Sequence, residues 1–278
     1  MSVILGIDMG GSTTKIVAFS QDNDLLGTLQ VKASDQLTSL YGALGHFLKK
    51  YNIALGEVSE IALTGVGASF VDGNIYEIPT QKIAEFQAIG LGGVKLAGIE
   101  QALVVSMGTG TAYVRVSPEG IKHIGGSGVG GGTLVGLSTK MINEADTSII
   151  AALAEKGDLS NVDLSIGEIS RDIIPGLPSD ATAANFAKMK STARNEDISL
   201  GLINMILQTI GMLAVFACAD SPVRDVVLTG ALAELPQTKE ILLEIGNLYK
   251  LNFIVPPEAI YATAIGAVCI LKRNMQSV

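Results

Sequence analysis

The segment that most constrains this chain is residues 3–17, VILGIDMGGSTTKIV. A run of apolar, β-forming residues ends at Asp8, passes through Gly10 and Gly11, and continues into a second β-forming run. The pattern predicts two strands joined by a turn that exposes backbone N–H groups, because glycine lets a ligand approach the backbone closely. Such a turn can bind phosphate oxygens through its amide dipoles. The alternative interpretation is a tight hairpin in which Asp8 is simply solvated.

The side chains around this turn suit a nucleotide phosphate with its metal ion. Asp8 is placed to hold Mg²⁺ directly or through water. Hydrogen-bond donors and a positive charge for a terminal phosphate come from Ser12, Thr13, Thr14 and Lys15. Together with Gly10 and Gly11, these residues form the predicted first phosphate loop.

A second segment of the same kind occurs at residues 103–116, LVVSMGTGTAYVRV. An apolar strand leads into a turn rich in glycine and hydroxyl groups, and another strand follows. The predicted second phosphate loop consists of Gly108, Thr109, Gly110 and Thr111. Two such hairpins in one chain predict two similar halves that face each other across a cleft. The motif LTGAL at 228–232 follows a predicted strand, and we expect a nucleoside to lie against its backbone at Gly230.

This order of two phosphate loops and an adenosine loop resembles the actin, hexokinase and Hsp70 ATPase superfamily. The resemblance implies an α/β fold in which two similar ribonuclease H-like halves flank an ATP cleft. We place the domain boundary near residue 100. Residues 1–100 then form the N-terminal half with the first phosphate loop and Glu85, and residues 101–278 form the C-terminal half. The final helix is the element that could cross back to the first half.

Composition restricts the class of protein further. Of the 278 residues, 48% are hydrophobic and 17% are charged, which is typical of a compact enzyme with a large buried core. The net charge of −8 argues against nucleic acid or an anionic membrane as the main partner, since both require a basic face. Cys218 and Cys269 lie in apolar helical patterns and are interpreted as buried hydrophobic residues. Because the N terminus has no signal-peptide pattern, we expect a cytoplasmic protein.

Hydrophobic periodicity gives a coarse order of elements. In the first half it predicts strands at 25–31 and 57–64 and a helix at 37–51. In the second half it predicts strands at 226–228 and 253–255 and helices at 141–156, 180–189, 198–219, 237–248 and 261–271. Asp180 is the expected N-cap of its helix. The helix at 198–219 is very apolar, but Asn204 and Gln208 interrupt it, so we interpret it as an internal helix and not as a membrane span.

A carboxylate, Glu85, stands at the start of a predicted helix at 84–98, AEFQAIGLGGVKLAG. One interpretation is an acid in the first turn that the helix dipole stabilises. The other is a general base that accepts a hydroxyl proton, which requires a carboxylate held at the cleft. The residues alone leave both interpretations open.

Glycine is concentrated in one further segment, since seven glycines fall within residues 125–136. So dense a run before a helical pattern predicts a loop that leads into a helix N-terminus facing an anion. A flexible flap is the competing interpretation.

Taken together, these pieces resemble the type II pantothenate kinases. The matching motifs run in family order: GIDMGGSTTK (6–15), EFQAIGLGG (85–93), MGTGT (107–111), GGSGVGGGTLVGL (125–137), DATAANF (180–186) and TAIGA (263–267). The resemblance implies that ATP and Mg²⁺ bind at the first hairpin and that Glu85 is the catalytic base. It implies that the glycine run, with Gly130, Gly131 and Gly132, borders the nucleotide. It also implies a pantothenate site at the interface of a homodimer, formed partly by the long helix.

The sequence departs from the family pattern at two positions. His123 stands where the family usually has an Arg that pairs with the substrate carboxylate, and Ala112 stands where the family often has Ser. Replacing Arg by His removes a permanent charge and a bidentate fork, which costs a carboxylate site on the order of a kcal/mol or more. Lys122 or a protonated His123 is the candidate replacement. The residues expected around the substrate are Glu85, Thr109 and His123.

Several functions remain open at this point. The first is Mg²⁺- and ATP-dependent phosphorylation of pantothenate to 4'-phosphopantothenate, the first step of coenzyme A biosynthesis. The second is a kinase of the same fold that acts on another small hydroxyl compound, such as a sugar or a pantetheine-like molecule. The third is an ATP-driven activator of a dehydratase or reductase, which requires clustered thiolates for an iron–sulfur cluster that Cys218 and Cys269 do not supply. A non-catalytic nucleotide sensor is a further alternative.

Overall fold

The computed structural model describes residues 2–33, 35–172, 174–175 and 178–276. One large sheet contains β1 (Val3–Met9), β2 (Thr13–Ser20), β3 (Leu25–Lys32), β4 (Val58–Thr64) and β5 (Thr80–Lys82). The other large sheet contains β6 (Ala102–Met107), β7 (Thr111–Ser117), β8 (Gly120–Ser127), β11 (Asp225–Thr229) and β12 (Asn252–Ile254). Two short strands, β9 (Leu164–Ser165) and β10 (Thr182–Ala184), pair separately.

Eight α-helices accompany these strands in the described part of the chain. They are α1 (Gln36–Lys50), α2 (Glu85–Ala97), α3 (Gly131–Ile142), α4 (Thr147–Ala154), α5 (Ile166–Ile169), α6 (Asn195–Cys218), α7 (Pro236–Tyr249) and α8 (Ala262–Gln276). The helices predicted at 37–51, 237–248 and 261–271 correspond to α1, α7 and α8, with bounds that differ by a few residues.

The two large sheets have the same strand order and the same strand directions. The order is β3-β2-β1-β4-β5 in the first sheet and β8-β7-β6-β11-β12 in the second. In each sheet the first three strands are antiparallel neighbours, and the remaining pairs are parallel. Because parallel neighbours end at the same edge of a sheet, the segments after β1, β4 and β5 lie side by side. The prediction of two similar α/β halves is confirmed.

Helices α2 and α8 lie between the two sheets and cross each other closely. α2 follows a strand of the first sheet and packs on the second sheet, whereas α8 follows a strand of the second sheet and packs on the first. At the crossing, a Cβ on Gly266 would lie 1.9 Å from the Ala88 carbonyl oxygen, so only glycine fits there. This exchange of helices joins the halves and sets the position of Glu85 at the start of α2. The boundary near residue 100 stays a prediction.

The helix predicted at 180–189 is wrong. The segment instead forms β10 and then bends at Phe186, whose φ is +57°. The cause is the buried carboxylate of Asp163. It accepts hydrogen bonds from the Thr182 hydroxyl, the Asn185 side-chain amide and the Phe186 N–H, at 3.3, 3.2 and 2.8 Å. These contacts outside the segment override its local helix-forming tendency.

Two other helix predictions need correction. The helix predicted at 141–156 is divided between α3 and α4, because Asn143 adopts the left-handed conformation and Asp146 then caps α4. Asp180 lies in a turn and caps no helix. The predicted helix at 198–219 is α6. Among the described residues, α6 is the one helix long and apolar enough to cross a membrane, and 50% of its most apolar window is buried inside the protein.

Candidate active site

The first phosphate loop joins β1 to β2 at the edge of the first sheet. Asp8 and Lys15 are direct cross-strand neighbours in this hairpin. The Lys15 Nζ lies 3.5 Å from the Asp8 Oδ2, and both residues are more than nine-tenths buried. The N–H of Gly10 donates to the Thr13 carbonyl at 2.9 Å and closes the turn. The hairpin therefore places one cation beside one carboxylate at the base of the loop.

The environment of Asp8 suits a divalent cation. Burial raises the pKa of Asp8 above its ordinary value, and the positive charge of Lys15 opposes that rise. A carboxylate withdrawn from water gains strongly from a nearby cation. Mg²⁺ in nucleotide sites is usually held by one or two carboxylates together with water and phosphate oxygens, so a single carboxylate beside this loop fits it. In the part of the chain that the structure describes, no three His, Cys, Asp or Glu side chains converge into an all-protein metal site.

Glu85 stands at the same edge of the sheet, because α2 begins just after β5. Burial is the main cause of the raised pKa of Glu85; the negative charge of Asp8 raises this pKa further, and Lys15 opposes the rise. The three side chains are therefore close enough for their charges to interact. A carboxylate withdrawn from water at this edge of the sheet is compatible with the general-base interpretation, which stays a prediction.

The two phosphate loops meet across the cleft. The Ser12 and Thr109 hydroxyl oxygens are hydrogen-bonded at 2.9 Å. Within the second half, the Thr111 hydroxyl donates to the Val129 carbonyl at 2.9 Å. The predicted loops are therefore neighbours in space, and two hydroxyl groups lie where the loops approach each other.

The glycine-rich run begins inside β8 and ends in α3, so it is neither one loop nor a flap. The N–H groups of Gly131 and Gly132 donate to the carbonyls of Gly108 and Thr109, at 2.8 and 2.9 Å. A Cβ on Gly130 would lie 2.7 Å from the Thr109 carbonyl oxygen. Contrary to expectation, these two N–H groups are not free to face an anion. The run instead docks α3 on the second phosphate loop, and its contact with a nucleotide stays a prediction.

A matching turn follows the fourth strand of each sheet. Gly65 after β4 has φ +90° and Gly230 after β11 has φ +86°, and a 3₁₀ turn follows each glycine. A Cβ on Gly65 would lie 2.6 Å from the Asp8 Oδ1, and one on Gly230 would lie 2.6 Å from the Met107 carbonyl oxygen. Gly230 is a site residue predicted from the sequence, whereas Gly65 is not, although both glycines belong to the same tripeptide, LTG.

His123 lies on β8 and stacks on Phe86, the residue after Glu85. The ring centroids are 3.8 Å apart and the rings are within 5° of parallel. Both side chains are exposed. Ala112 lies on β7 opposite Gly126, so this cross-strand pair carries no polar side chain. The structure thus brings His123 against Phe86, the residue that follows the predicted base in the sequence.

The two cysteines belong to different hydrophobic cores. Cys218 lies in the core between α6 and the second sheet, whereas Cys269 packs against the cores around α2 and α8. Burial raises the pKa of both thiols. Within one chain, the two sulfur atoms therefore do not form a paired ligand set.

Two curated relatives are similar to this chain over most of its length. The type II pantothenate kinase of Staphylococcus aureus (strain USA300) is 31% identical over 187 residues, which cover 66% of this chain and 65% of that relative. The alignment thus spans slightly less than two thirds of the S. aureus protein. The type II pantothenate kinase of Staphylococcus epidermidis (strain RP62A) is 27% identical over 236 residues, which cover 82% of this chain and 84% of that relative.

The fold of this chain is similar to that of a solved structure with low sequence identity. The activator of the 2-hydroxyisocaproyl-CoA dehydratase from Clostridium difficile, with bound ADPNP, has a TM-score of 0.70 at 16% identity. The match covers 99% of this chain and 98% of the activator. The predicted actin-like ATPase fold is confirmed.

Residues 101–250, more than half of the chain, match the Fumble family. The chain therefore belongs to the Fumble family, and its resemblance to the type II pantothenate kinases is confirmed.

Proposed function

We propose that this chain is an ATP- and Mg²⁺-dependent kinase that phosphorylates the primary hydroxyl of pantothenate in the first step of coenzyme A biosynthesis. The observation that carries the proposal is the grouping of Asp8, Lys15 and Glu85 beside two phosphate loops that touch through Ser12 and Thr109. The names of the two staphylococcal relatives support the substrate, and the ADPNP in the similar activator supports ATP as the nucleotide.

Each charged residue of this group has a distinct role in the proposed reaction. Glu85 accepts the proton of the substrate hydroxyl as its oxygen attacks the terminal phosphorus. Lys15 places a positive charge against the phosphate oxygens, whose charge is redistributed in the transition state. Asp8 would hold Mg²⁺, which when bound neutralises charge on the phosphate oxygens.

The backbone and hydroxyl groups of the loops are assigned to the nucleotide. We assign the phosphates to Gly10, Gly11, Ser12, Thr13, Gly108, Thr109, Gly110 and Thr111. Gly130, Gly131 and Gly132 border the nucleotide behind the second loop, and Gly230 lies against adenosine. These groups carry no net charge, so they bind a phosphate only where several N–H and O–H donors converge on it.

The substrate side of the proposed site consists of Glu85, Thr109 and His123. Either Lys122 or a protonated His123 would pair with the pantothenate carboxylate. We further propose a cytoplasmic homodimer in which α6 contributes to the interface. Phe216 of this helix, which is 67% exposed, would lie in this interface.

A kinase of the same fold with a different hydroxyl substrate is the second candidate. The parallel stack of His123 on Phe86 favours it, because these two exposed aromatic rings offer a flat surface to a neutral group. A sugar or a pantetheine-like molecule would suit this surface without a carboxylate partner.

ATP consumption separates these candidates. We would assay the purified protein with Mg²⁺ and pantothenate, with pantetheine, and with a panel of sugars. Glu85→Gln should lower turnover by about 10²–10⁴-fold, and Glu100→Gln, at an exposed position on the loop after α2, is the matched control. Turnover with a sugar or pantetheine alone would support the second candidate. Tight nucleotide binding without turnover would indicate a sensor, and a stoichiometric iron–sulfur cluster in anaerobically purified protein would indicate an activator.

A further inference from the structure

Gln36, the first residue of α1, holds the first phosphate loop from behind. Its Nε2 donates to the carbonyl oxygens of Gly10 and Gly11, at 3.3 and 3.4 Å. The next carbonyl along the chain, that of Ser12, accepts from the N–H of Ala33 at 2.9 Å. Three consecutive carbonyl groups of the loop therefore point toward the segment that leads into α1.

The direction of these carbonyls determines where the loop presents its donors. A trans peptide directs its N–H opposite to its C=O, and the described chain contains no cis peptide. Because the Gly10 and Gly11 carbonyls point to Gln36, the N–H groups of Gly11 and Ser12 point away from it. Ser12 also meets Thr109 of the second loop through its hydroxyl. A phosphate that accepts from the Gly11 and Ser12 N–H groups would lie on the side away from Gln36.

The rest of the Gln36 side chain is fixed by packing. Its Oε1 is buried and accepts no hydrogen bond within the described part of the chain. A Cβ on Gly67 would lie 2.6 Å from this oxygen, so the oxygen occupies space that the glycine leaves open. The opposite amide orientation would place Oε1 against two carbonyl oxygens. The start of α1 is itself fixed, since the Asp35 side chain accepts from the Thr38 N–H at 2.7 Å.

We propose that Gln36 is a positioning residue of the nucleotide site. By binding the carbonyls of Gly10 and Gly11, it turns the N–H groups of Gly11 and Ser12 toward the nucleotide phosphates. Gln36 itself touches no ligand in this arrangement. The inference rests on the proposed function in one respect, namely that a phosphate binds at this loop. It does not depend on which hydroxyl compound receives the phosphoryl group.

The test is the affinity for Mg²⁺–ADP, measured by titration calorimetry without an acceptor. Gln36→Glu keeps the size of the side chain but replaces both N–H donors by a carboxylate that faces two carbonyls. Gln36→Met removes the donors without adding charge. We expect the Kd to rise about tenfold or more in both variants, since two hydrogen bonds that orient the loop are lost. Gln101→Glu, at an exposed glutamine, is the matched control and should leave the Kd unchanged.

The pH dependence of the Kd distinguishes the loss of the Gln36 hydrogen bonds from general structural damage. The carboxyl introduced by Gln36→Glu regains one O–H donor when it is protonated. Because it faces two carbonyl oxygens, its pKa should be raised. The Kd of Gln36→Glu should therefore improve relative to wild type as the pH is lowered from about 8 to about 5.5. The ratio of the Kd of Gln36→Met to that of wild type should stay constant over this range.

Equal Kd values in Gln36→Glu, Gln36→Met and Gln101→Glu would overturn the proposal even if pantothenate kinase activity is found. If Gln36→Glu fails to fold, Gln36→Met carries the test, because it introduces no charge. Wild-type protein that binds ADP but does not phosphorylate pantothenate would remove the proposed substrate and leave this test intact. Wild-type protein that binds no nucleotide would overturn both proposals.

Discussion

Asp163 connects the segment around β10 to the long helix α6, and its replacement tests how this region is stabilised. The residue is only 3% exposed. Besides the three bonds from Thr182, Asn185 and Phe186, its carboxylate accepts one from the Asn204 Nδ2 of α6 at 2.9 Å. Asn204 is 2% exposed and also donates to the Thr182 hydroxyl oxygen at 3.1 Å. One carboxylate thus satisfies four donors from two separate parts of the chain.

The expected cost of Asp163→Ala follows from the burial of these donors. Asn204 would keep one buried donor that water cannot reach, and such a loss costs about 1–3 kcal/mol. The other three bonds are partly buried, so their donors recover some hydrogen bonding to water, and each contributes about 0.5–1.5 kcal/mol. Because bonds that share one acceptor are not additive, we expect the free energy of unfolding to fall by about 3–5 kcal/mol. Typical domains have only about 5–15 kcal/mol of stability, so this loss is large.

Urea unfolding followed by circular dichroism, at one fixed protein concentration, measures this change. Asp220→Ala, at an exposed position after α6, is the matched control and should change the free energy by no more than about 0.5 kcal/mol. A double-mutant cycle with Asn204→Ala should give a coupling energy of at least about 0.5 kcal/mol. A loss below about 1 kcal/mol in Asp163→Ala, with an unchanged slope, would refute the reasoning, because solvated donors alone would then account for the network.

The remaining predictions concern the cleft and the helix crossing. The pKa of Glu85 is raised in the folded state, so ionisation of Glu85 lowers the stability of the fold once the pH exceeds the unfolded-state pKa of about 4.3. Glu85→Gln should therefore be at least as stable as wild type at neutral pH and should lose this advantage below about pH 4.3. Thermal unfolding of both proteins over a pH series measures this difference. Gly266→Ala places a Cβ 1.9 Å from the Ala88 oxygen and should lower stability by about 1–3 kcal/mol or more, whereas Gly45→Ala, on an open face of α1, should be neutral or stabilising in the same urea titration. His123→Arg should lower the KM for pantothenate about fivefold or more and leave the KM for ATP unchanged, and steady-state kinetics with equal KM values in both proteins would contradict the assigned carboxylate contact.

The parts of the site that the sequence predicted are those determined locally. In the first hairpin, Asp8 and Lys15 flank a glycine turn, so their proximity follows from strand pairing alone. Glu85 was a candidate because a carboxylate began an apolar helix. Its proximity to Asp8 follows from the shared edge of β1, β4 and β5, once parallel pairing is assumed.

The parts that the sequence did not predict depend on contacts between distant segments. Nothing in the glycine run indicates that the N–H groups of Gly131 and Gly132 are used by carbonyls of the second loop. The position of Gln36 behind the first loop requires knowledge of how α1 packs on the hairpin. The failed helix at 180–189 has the same cause, since its alanines favour a helix and hydrogen bonds to the distant Asp163 oppose it.

The repeated architecture also explains why the cleft has a direction. In the first hairpin, the residues that face each other before the turn are Asp8 and Lys15, whereas the corresponding pair in the second hairpin is Ser106 and Ala112. Both hairpins are antiparallel strand pairs, but only the first carries charge at this position. Glu85 belongs to the same edge as the charged pair. If the proposed function holds, a phosphate chain between the loops would direct its most highly charged end toward the first half, where the proposed metal-binding carboxylate, Lys15 and the proposed base lie. The nucleoside would then lie toward Gly230 in the second half.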